Sequence, residues 1–276
     1  MKENIIKYYL IDYEADDNGF VSKPHSHQHY EIFYFEKGNA NHFIDFEEYP
    51  IRDNSLFLIS YNQVHYITAN PNTYNFGYVL SIDQEIMYLF GNELMSLFGK
   101  FSQAPAFYLS QNELFTALFN QIQKELQENK PKSTELAFSF IKILLTYIWR
   151  EKQNTLSGKG VTNNFFLKYL QLVENNYLNI KWKYAELLSI TTKQLNRVCK
   201  EVSNQTALSV IHQRVNLEAK RQLFYSENQV KDICYNLGFE DTGHFNNFFK
   251  KMNNKTPTDF RAEMSQIFNG KDFLHN

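Results

Sequence analysis

Apolar residues follow two different rhythms along this chain. Between residues 20 and 82 they form short runs, separated by turn sequences at 36–39, 52–54 and 70–72, as expected of strands roughly eight to twelve residues apart. From residue 83 the apolar positions recur at the spacing of helices, with an interruption at Pro131. The pattern therefore predicts an N-terminal domain of β-strands followed by helices.

The strand region predicts a small antiparallel barrel or jelly roll, with a last strand at 106–109. Helices are predicted at 84–98, 111–128 and 133–152. The last of these carries an apolar stripe, made of Leu136, Phe140, Ile143, Leu144, Tyr147 and Ile148. This stripe packs against the barrel or a neighbouring helix in one interpretation, and forms the seam of a dimer in the other.

The most specific pattern lies near the C-terminus. Gly238 marks a turn and Asp241 an N-cap, and a helix of about eleven residues follows. Phe245, Phe248 and Phe249 share one side of this helix. Hydrogen-bonding and basic residues share the other side, namely Thr242, Gly243, His244, Asn246, Asn247 and Lys250. A short helix with such an outer face suits the major groove of DNA.

The same pattern occurs fifty positions upstream, at 191–200. Each copy follows a shorter apolar helix, at 184–188 and 230–237, so two helix-turn-helix units repeat in tandem. A predicted helix at 207–225 joins them, with a length of ~28 Å at 1.5 Å per residue. This length is close to the ~34 Å between successive major-groove faces, so one chain could read two adjacent grooves.

Residue roles follow from which side of each helix is free. Base contacts are predicted for Thr192, Lys193, Gln194 and Asn196 in the first helix and for Thr242, His244 and Asn246 in the second. Phosphate contacts are predicted for Arg197, Lys231, Lys250 and Thr256. In the alternative interpretation, the charged residues are ordinary solvated positions on helix surfaces.

Charge supports a nucleic-acid partner only after the chain is divided. The net charge of −2 alone argues against such a partner. Residues 1–159 contain 13 Lys and Arg against 19 Asp and Glu, whereas residues 160–276 contain 15 against 11. The positive surplus therefore lies in the half that contains the two helix-turn-helix units, as attraction to phosphate requires.

A second candidate site lies at the entrance of one strand. His25, His27 and Glu31 are separated by even steps, so one strand points them to one face, while His29 is expected on the other face. His65 follows in a later segment. The group is a metal site, the polar lining of a small-molecule pocket, or a set of structural histidines. The pocket is favoured, and the predicted wall residues are Tyr34 and Phe43.

Both cysteines, Cys199 and Cys234, fall on predicted inward positions, so no disulfide framework is predicted and a reducing cytosol fits. The first seven residues contain no long apolar stretch, and acidic residues follow at 12–17. The apolar segment at 141–149 is interrupted by Lys142 and is too short to span a bilayer. A cytoplasmic location without a membrane partner is therefore predicted.

Residues from about 165 to 265 closely resemble the DNA-binding domain of AraC-type transcription regulators. The matching residues are Ala185, Leu195, Arg197 and Lys200, the segment 217–221, and then Ile233, 237–239, Asp241, Phe245, 248–251, Thr256, Pro257, Phe260 and Arg261. The chain departs from the family at Asn204, where Gly is usual, at Cys199, where Phe is usual, and at Asn247, where Arg is common. Asn still tolerates a left-handed turn.

Residues 20–82 are similar to a cupin, whose enzymatic members bind a metal through such residues. They are equally similar to the cupin-like effector domain of AraC-type regulators, which usually has no metal. The resemblance implies an α+β chain with four parts. These are an effector-binding antiparallel β-barrel of the jelly-roll type at 1–110, a helical dimerisation segment at 111–155, a linker at 156–163, and an all-α tandem helix-turn-helix domain at 164–268.

The resemblance implies a sequence-specific transcription regulator, an activator rather than a repressor, whose effector favours the domain arrangement that fits spaced half-sites. Its partners would be double-stranded DNA, a small-molecule effector such as a sugar or an aromatic metabolite, a second copy of the chain, and RNA polymerase. No catalytic residue, cofactor or metal ion is predicted. Two rivals stand: a metal-dependent cupin enzyme fused to a DNA-binding domain, and a ligand-independent DNA-binding regulator.

Overall fold

The chain divides into a unit rich in β-strands and a helical unit. The computed structural model describes residues 6–91, 94, 96–98, 106–109, 112–128, 130–156, 164–176 and 184–269. The first unit lies within residues 1–158 and the second within 159–272. Of the predicted linker at 156–163, only Leu156 is described, and it ends a helix.

The described part of the first unit contains two antiparallel sheets. Their strands are β1 (Ile6–Glu14), β2 (Phe20–Val21), β3 (His29–Lys37), β4 (Ala40–Ile44), β5 (Glu47–Ile51), β6 (Ser55–Ile59), β7 (His65–Ala69), β8 (Tyr74–Asp83) and β9 (Ala106–Tyr108). One sheet has the order β1-β8-β3-β6-β9 and the other β2-β7-β4-β5. The described strands of each sheet pair within that sheet, so the two sheets do not close into a barrel. They form a jelly-roll-like sandwich, which confirms the predicted fold class.

Alternation along β3 covers the five-stranded sheet on both faces. Phe33 and Phe35 point into the sandwich, where they form a core with Ile44 and Ile51 of the other sheet. Ile32 and Tyr34 are fully buried on the opposite face. That face needs a helical cover, since antiparallel sheets with two apolar faces are buried on both.

Helices supply this cover after a broken connection. The chain leaves β8 through α1 (Gln84–Met87) and 3-10 turns at Tyr88–Phe90 and Ser96–Phe98. The single helix predicted at 84–98 is therefore wrong, because Gly91 adopts a φ of +85°, outside the helical range. Two long helices follow, α2 (Asn112–Glu128) and α3 (Ser133–Leu156), close to the predicted ranges.

The apolar stripe of α3 divides between core and surface. Leu144 and Ile148 are fully buried against the five-stranded sheet and α2. Leu136 and Ile143 lie on another side of the helix and remain 45% and 43% exposed. The two exposed residues are separated by seven positions, two helical turns, so they share one outward face.

The described residues of the second unit are helical apart from their turns. The helices are α4 (Asn164–Asn176), α5 (Tyr184–Leu187), α6 (Thr192–Ser203), α7 (Ala207–Tyr225), α8 (Val230–Asn236), α9 (Thr242–Asn253) and α10 (Pro257–Asn269). The predicted joining helix at 207–225 is confirmed as α7, and α4, α6, α8, α9 and α10 all contact it. None of the described helices in either unit combines the length and apolar character needed to cross a bilayer.

Candidate nucleic-acid interface and histidine site

Two turns of the same design precede α6 and α9. In the first, the Ile190 amide donates to the Ala185 carbonyl at 2.9 Å and Ser189 adopts a φ of 55°. In the second, the Phe239 amide donates to the Cys234 carbonyl at 3.1 Å and Gly238 adopts a φ of 80°. A left-handed residue with this hydrogen bond closes a helix and redirects the chain. Both turns therefore set a second helix at a defined angle to the first.

The helices α6 and α9 also begin and end alike. The side chain of Thr191 accepts from the Gln194 amide at 3.2 Å, and the side chain of Asp241 accepts from the His244 amide at 2.7 Å. Asn204 and Asn254 end the two helices with φ values of 57° and 58°. The prediction that Asn204 accommodates a left-handed turn is confirmed. Caps at a constant offset of fifty residues make the two units structural repeats.

Inward residues hold each helix in place. Leu195, Val198 and Cys199 are buried in α6, and Phe245 and Phe249 are buried in α9. Phe248, on the same predicted side as Phe245 and Phe249, is only half-buried and packs against His212 and Phe239. Packing of the inward side fixes which side of each helix faces outward.

The histidine site lies where the approach to β3 meets β7. His25 forms a bridge with His65 through backbone hydrogen bonds of 3.0 and 3.1 Å. The Nε2 atom of His27 lies 2.9 Å from Glu31 Oε2 and 3.0 Å from His65 Nε2. Glu31 Oε2 lies 3.6 Å from His65 Nε2. The structure thus brings together all four of the predicted polar residues.

Two further histidines complete the cluster. His29 Nε2 lies 3.1 Å from Glu31 Oε1, and its ring stacks on His27 at 3.8 Å. The expectation that His29 faces away was wrong, because positions 25, 27, 29 and 31 are all two residues apart. His42 was missed; it is fully buried, and its Nε2 lies 3.1 Å from His65 Nδ1. Its burial could have been predicted from the sequence, because Ala40, His42 and Ile44 alternate along β4 and all point toward the core.

Burial and hydrogen bonding set the charges in this cluster. Burial lowers the pKa of His42 to about 3 and holds the pKa of His65 well below its ordinary value. Burial opposes ionisation of Glu31, but hydrogen bonds from His27 and His29 outweigh it and lower the pKa of this carboxyl. The cluster therefore combines the Glu31 carboxylate with the neutral imidazoles of His42 and His65 at the edge of an apolar interior. Among the described residues, donor atoms within 4.8 Å of one another occur in two sets, His25 with His27 and His65, and His27 with His29 and Glu31.

Comparison with known proteins assigns both units. Residues 7–141 match the family described as AraC-like ligand binding domain, and residues 184–263 match the family described as Helix-turn-helix domain. The chain belongs to the AraC-type transcription regulators. Its β-sandwich is the ligand-binding domain, and its helical unit is the DNA-binding domain.

Individual relatives cover almost the whole regulator. It is 24% identical over 265 residues to the HTH-type transcriptional activator RhaS of Yersinia pestis (strain Pestoides F), with 92% of this chain and 93% of that protein covered. RhaS of Yersinia pseudotuberculosis serotype I (strain IP32953) gives the same values. The solved structure of ToxT from Vibrio cholerae aligns with a TM-score of 0.45 and 14% identity over 95% of this chain and 100% of that chain.

The regulator presents most of its predicted DNA-contacting side chains outward. Seven of these residues are exposed, namely Thr192, Lys193, Arg197, Lys231, His244, Asn246 and Lys250. Thr242 is half-buried. Arg197 is 3.7 Å from Glu201, in a pair whose side chains are 70% and 60% exposed, so water screens it and the guanidinium is available to another anion.

Three of the residues predicted to contact DNA have side chains that make hydrogen bonds within the regulator. The Asn196 side chain donates to the Thr192 carbonyl at 3.2 Å and accepts from the Ala207 amide at 3.0 Å, so it fastens α6 to the start of α7. Gln194 Oε1 accepts from the Thr191 amide at 2.8 Å in a capping box. Thr256 caps α10, with its hydroxyl 2.6 Å from Asp259 Oδ2.

Both predicted wall residues of the effector pocket are also corrected. Tyr34 lies on the helix-covered face of β3, an odd number of positions from Glu31, and stacks on Phe119. Phe43 alternates with His42 and stacks on Tyr66 at 4.5 Å instead. The aromatic rings next to the cluster are Phe33 and Phe57, each 4.9 Å from the His42 ring.

Proposed function

We propose that this regulator activates transcription in the bacterial cytoplasm by binding DNA through both helix-turn-helix units, under the control of a small molecule bound in the sandwich. The observation that carries the proposal is the repeat of α6 and α9. Each helix has the same turn, the same type of cap and an outward face of cations and hydrogen-bonding groups. Two such faces on one chain suit two adjacent major-groove segments.

The proposed DNA contacts fall into two classes. Thr192, Lys193, Thr242, His244 and Asn246 would contact bases, because they lie at the N-terminal ends of the two helices or one turn further. Arg197, Lys231 and Lys250 would contact phosphates, since their long cationic side chains are exposed. Asn196 and Gln194 are left out of the base-contacting set, and Thr256 is left out of the phosphate-contacting set, because of their hydrogen bonds within the unit.

Selection of random duplexes by the purified full chain tests this function. Two enriched motifs about one helical turn apart are expected. His244→Ala should relax base preference in one motif only and weaken binding about 10- to 100-fold, as loss of a base contact of roughly 1–3 kcal/mol predicts. Lys250→Ala should weaken all sequences alike and lower the salt slope by about 1.

Lys37→Ala is the matched control, since it removes an exposed lysine in the other unit. Unchanged base preference in His244→Ala would contradict the proposal that α9 contacts bases through this residue. A reporter driven by the selected operator should rise with the regulator; a fall in its output would make the protein a repressor.

The proposed effector site is the histidine end of the sandwich. Phe33 and Phe57 supply apolar ring surface there, and His42, His65 and Glu31 supply polar groups. An apolar pocket with a few fixed polar groups is the usual design for a small ligand. Repeating the selection with a metabolite mixture tests this role. Identical DNA binding with and without every mixture would favour the ligand-independent rival.

A homodimer is proposed through the exposed face of α3. Leu136 and Ile143 leave apolar surface two helical turns apart on one face of α3. A second copy of the chain would bury this face by two-fold pairing, the commonest symmetry of homo-oligomers. Ile143→Glu is expected to shift the protein from dimer to monomer in sedimentation velocity, because it would bury a carboxylate in the seam. Gln127→Glu adds the same charge at an exposed position of α2 and should leave the dimer intact. If the wild-type protein sediments as a monomer at all concentrations, the proposed dimer is contradicted.

A further inference from the structure

We propose that Asn216 and Asn253 are positioning residues for DNA binding. Their side-chain amides fix the position of α9 along α7 and thereby set the spacing between the two DNA motifs that one chain binds. This role depends on the proposed binding of DNA through both helix-turn-helix units, and it is distinct from contact with a base or a phosphate.

The two asparagines form a reciprocal pair across the junction of α7 and α9. Asn216 Nδ2 donates to Asn253 Oδ1 at 3.1 Å, and Asn253 Nδ2 donates to Asn216 Oδ1 at 2.6 Å. Asn253 Nδ2 also donates to the Phe249 carbonyl at 2.9 Å, so both of its N–H groups are used. Asn216 is buried, and a slip of α9 along α7 would leave its amide without this partner. The pair therefore holds the two helices at one relative position.

Ring packing at the same junction is less directional than the amide pair. Phe248 of α9 lies edge-on to His212 of α7, with ring centroids 5.3 Å apart. Apolar burial has no preferred direction, and protein cores lose a unique arrangement before they lose stability. A buried polar group can instead specify register, as one buried asparagine does in a coiled coil. The rings thus contribute stability to the junction, and the amide pair contributes its register.

The helix α7 holds a polar anchor for each of α6 and α9. Asn196 of α6 accepts from the amide of Ala207, the first residue of α7. Asn253, the last residue of α9, is bound to Asn216, nine positions further along α7. At 1.5 Å per residue the two anchors are about 14 Å apart along the helix axis. A slip of α9 along α7 would change this separation and displace the outward face of α9 along the DNA.

Comparison of the two repeats separates this anchor from the features that end both helices. Ser203 of α6 is the equivalent of Asn253, fifty positions earlier. The Ser203 hydroxyl donates to the Cys199 carbonyl at 2.7 Å, as the Asn253 amide does to the Phe249 carbonyl. The bonds from Asn253 to α7 are therefore an addition to the hydrogen bond that both helix ends share. Ser203→Ala removes the shared bond from α6 and is the matched control.

The affinity of the full chain for duplexes of altered spacing tests the proposal. Each duplex carries the two motifs that the wild type selects, with the spacer unchanged or changed by one base pair, which displaces one motif by about 3.4 Å and rotates it by about 35°. The wild type should bind the altered duplexes about 10-fold or more weakly, on the scale of a mismatched base pair.

The double variant Asn216→Leu with Asn253→Leu replaces both amides with apolar groups of similar size. Such a replacement of both partners is nearly neutral for stability, so the variant should unfold in urea close to the wild type. Without the pair α9 can slip along α7, and the variant should bind all the duplexes within about 3-fold of one another. Its base preference within each motif should be unchanged, because the contacting residues are intact.

Ser203→Ala should discriminate between the spacings as the wild type does. If the double variant fails to fold, Asn253→Ser gives the same test, because it copies the residue of the first repeat and removes the reciprocal amide pair. Equal discrimination in the wild type and in the folded variant would overturn the role of the pair alone. If the wild type selects only a single motif, the proposed binding through both units is overturned, and this role with it.

Discussion

Replacing Phe249 with Ala is expected to destabilise the DNA-binding unit by about 3–5 kcal/mol, as deletion of a buried aromatic ring does. Phe249 is fully buried, and its ring lies 6.1 Å from that of Phe245 and 5.7 Å from that of Phe260. It thus joins α9 to α10, and its loss leaves a cavity at that junction. The change should appear as a lower midpoint for the helical unit in urea unfolding of the full chain.

The repeat provides the control for this experiment. Cys199 occupies the equivalent position in α6 and is also fully buried, but its side chain is small. Cys199→Ala should therefore cost only about 1 kcal/mol. Equal losses of stability in the two variants would mean that α9 and α10 relax around the missing ring, and would contradict tight packing of Phe249 between them.

The consequence for function follows from the margin of stability. A domain is typically stable by about 5–15 kcal/mol, so Phe249→Ala consumes a large fraction of the total. DNA affinity of the variant should remain near wild type at low temperature and fall steeply on warming. A variant of a contacting residue, such as His244→Ala, should instead lose affinity at every temperature. The two kinds of variant are thereby distinguishable.

Much of the helical unit could be predicted from the sequence because its signals are local. The bounds of α7 follow from Thr206 as an N-cap and from a run without Gly or Pro, and Asp241 marks the start of α9. The apolar stripes of α6 and α9 also predict which side of each helix faces inward. Local patterns of this kind need no knowledge of the rest of the fold.

The same local patterns could not say what each polar side chain binds. Asn196 looks like Asn246, since both lie at the same position of the repeat. Asn196 is held by the Ala207 amide, eleven positions away, whereas Asn246 is exposed. Only the packing of α6 on α7 separates them. Capping could have been inferred, because Thr191 and Gln194 have the spacing of a capping box.

The sandwich depended more on contacts between distant strands. His42 joins the cluster because Ile44 pairs with His65 across β4 and β7, and no single segment reveals that register. The faces of β3 were within reach of the sequence, however. His29 lies an even number of positions from Glu31 and therefore shares its face, whereas Tyr34 lies an odd number of positions away and therefore lies on the opposite face.

Gly77→Ala is expected to destabilise the sandwich by about 3 kcal/mol, at the upper end of the cost of overpacking. A Cβ atom at Gly77 would lie 2.1 Å from the Tyr34 carbonyl oxygen and 2.8 Å from the Phe35 Cα. Both are backbone atoms, which cannot rotate away as a side chain can. Gly77 pairs with Phe35 beside an irregularity in the register of β3 and β8, two of the three strands that lie inside the five-stranded sheet.

Urea unfolding of the full chain, followed by a probe of the β-unit, measures this effect. Gly243→Ala is the matched control, because the nearest atom to its added Cβ is a side-chain oxygen of Asp241 at 3.1 Å, and a helical position favours Ala. It should change stability by less than about 1 kcal/mol. An equally small change in Gly77→Ala would show that β3 and β8 can separate without loss.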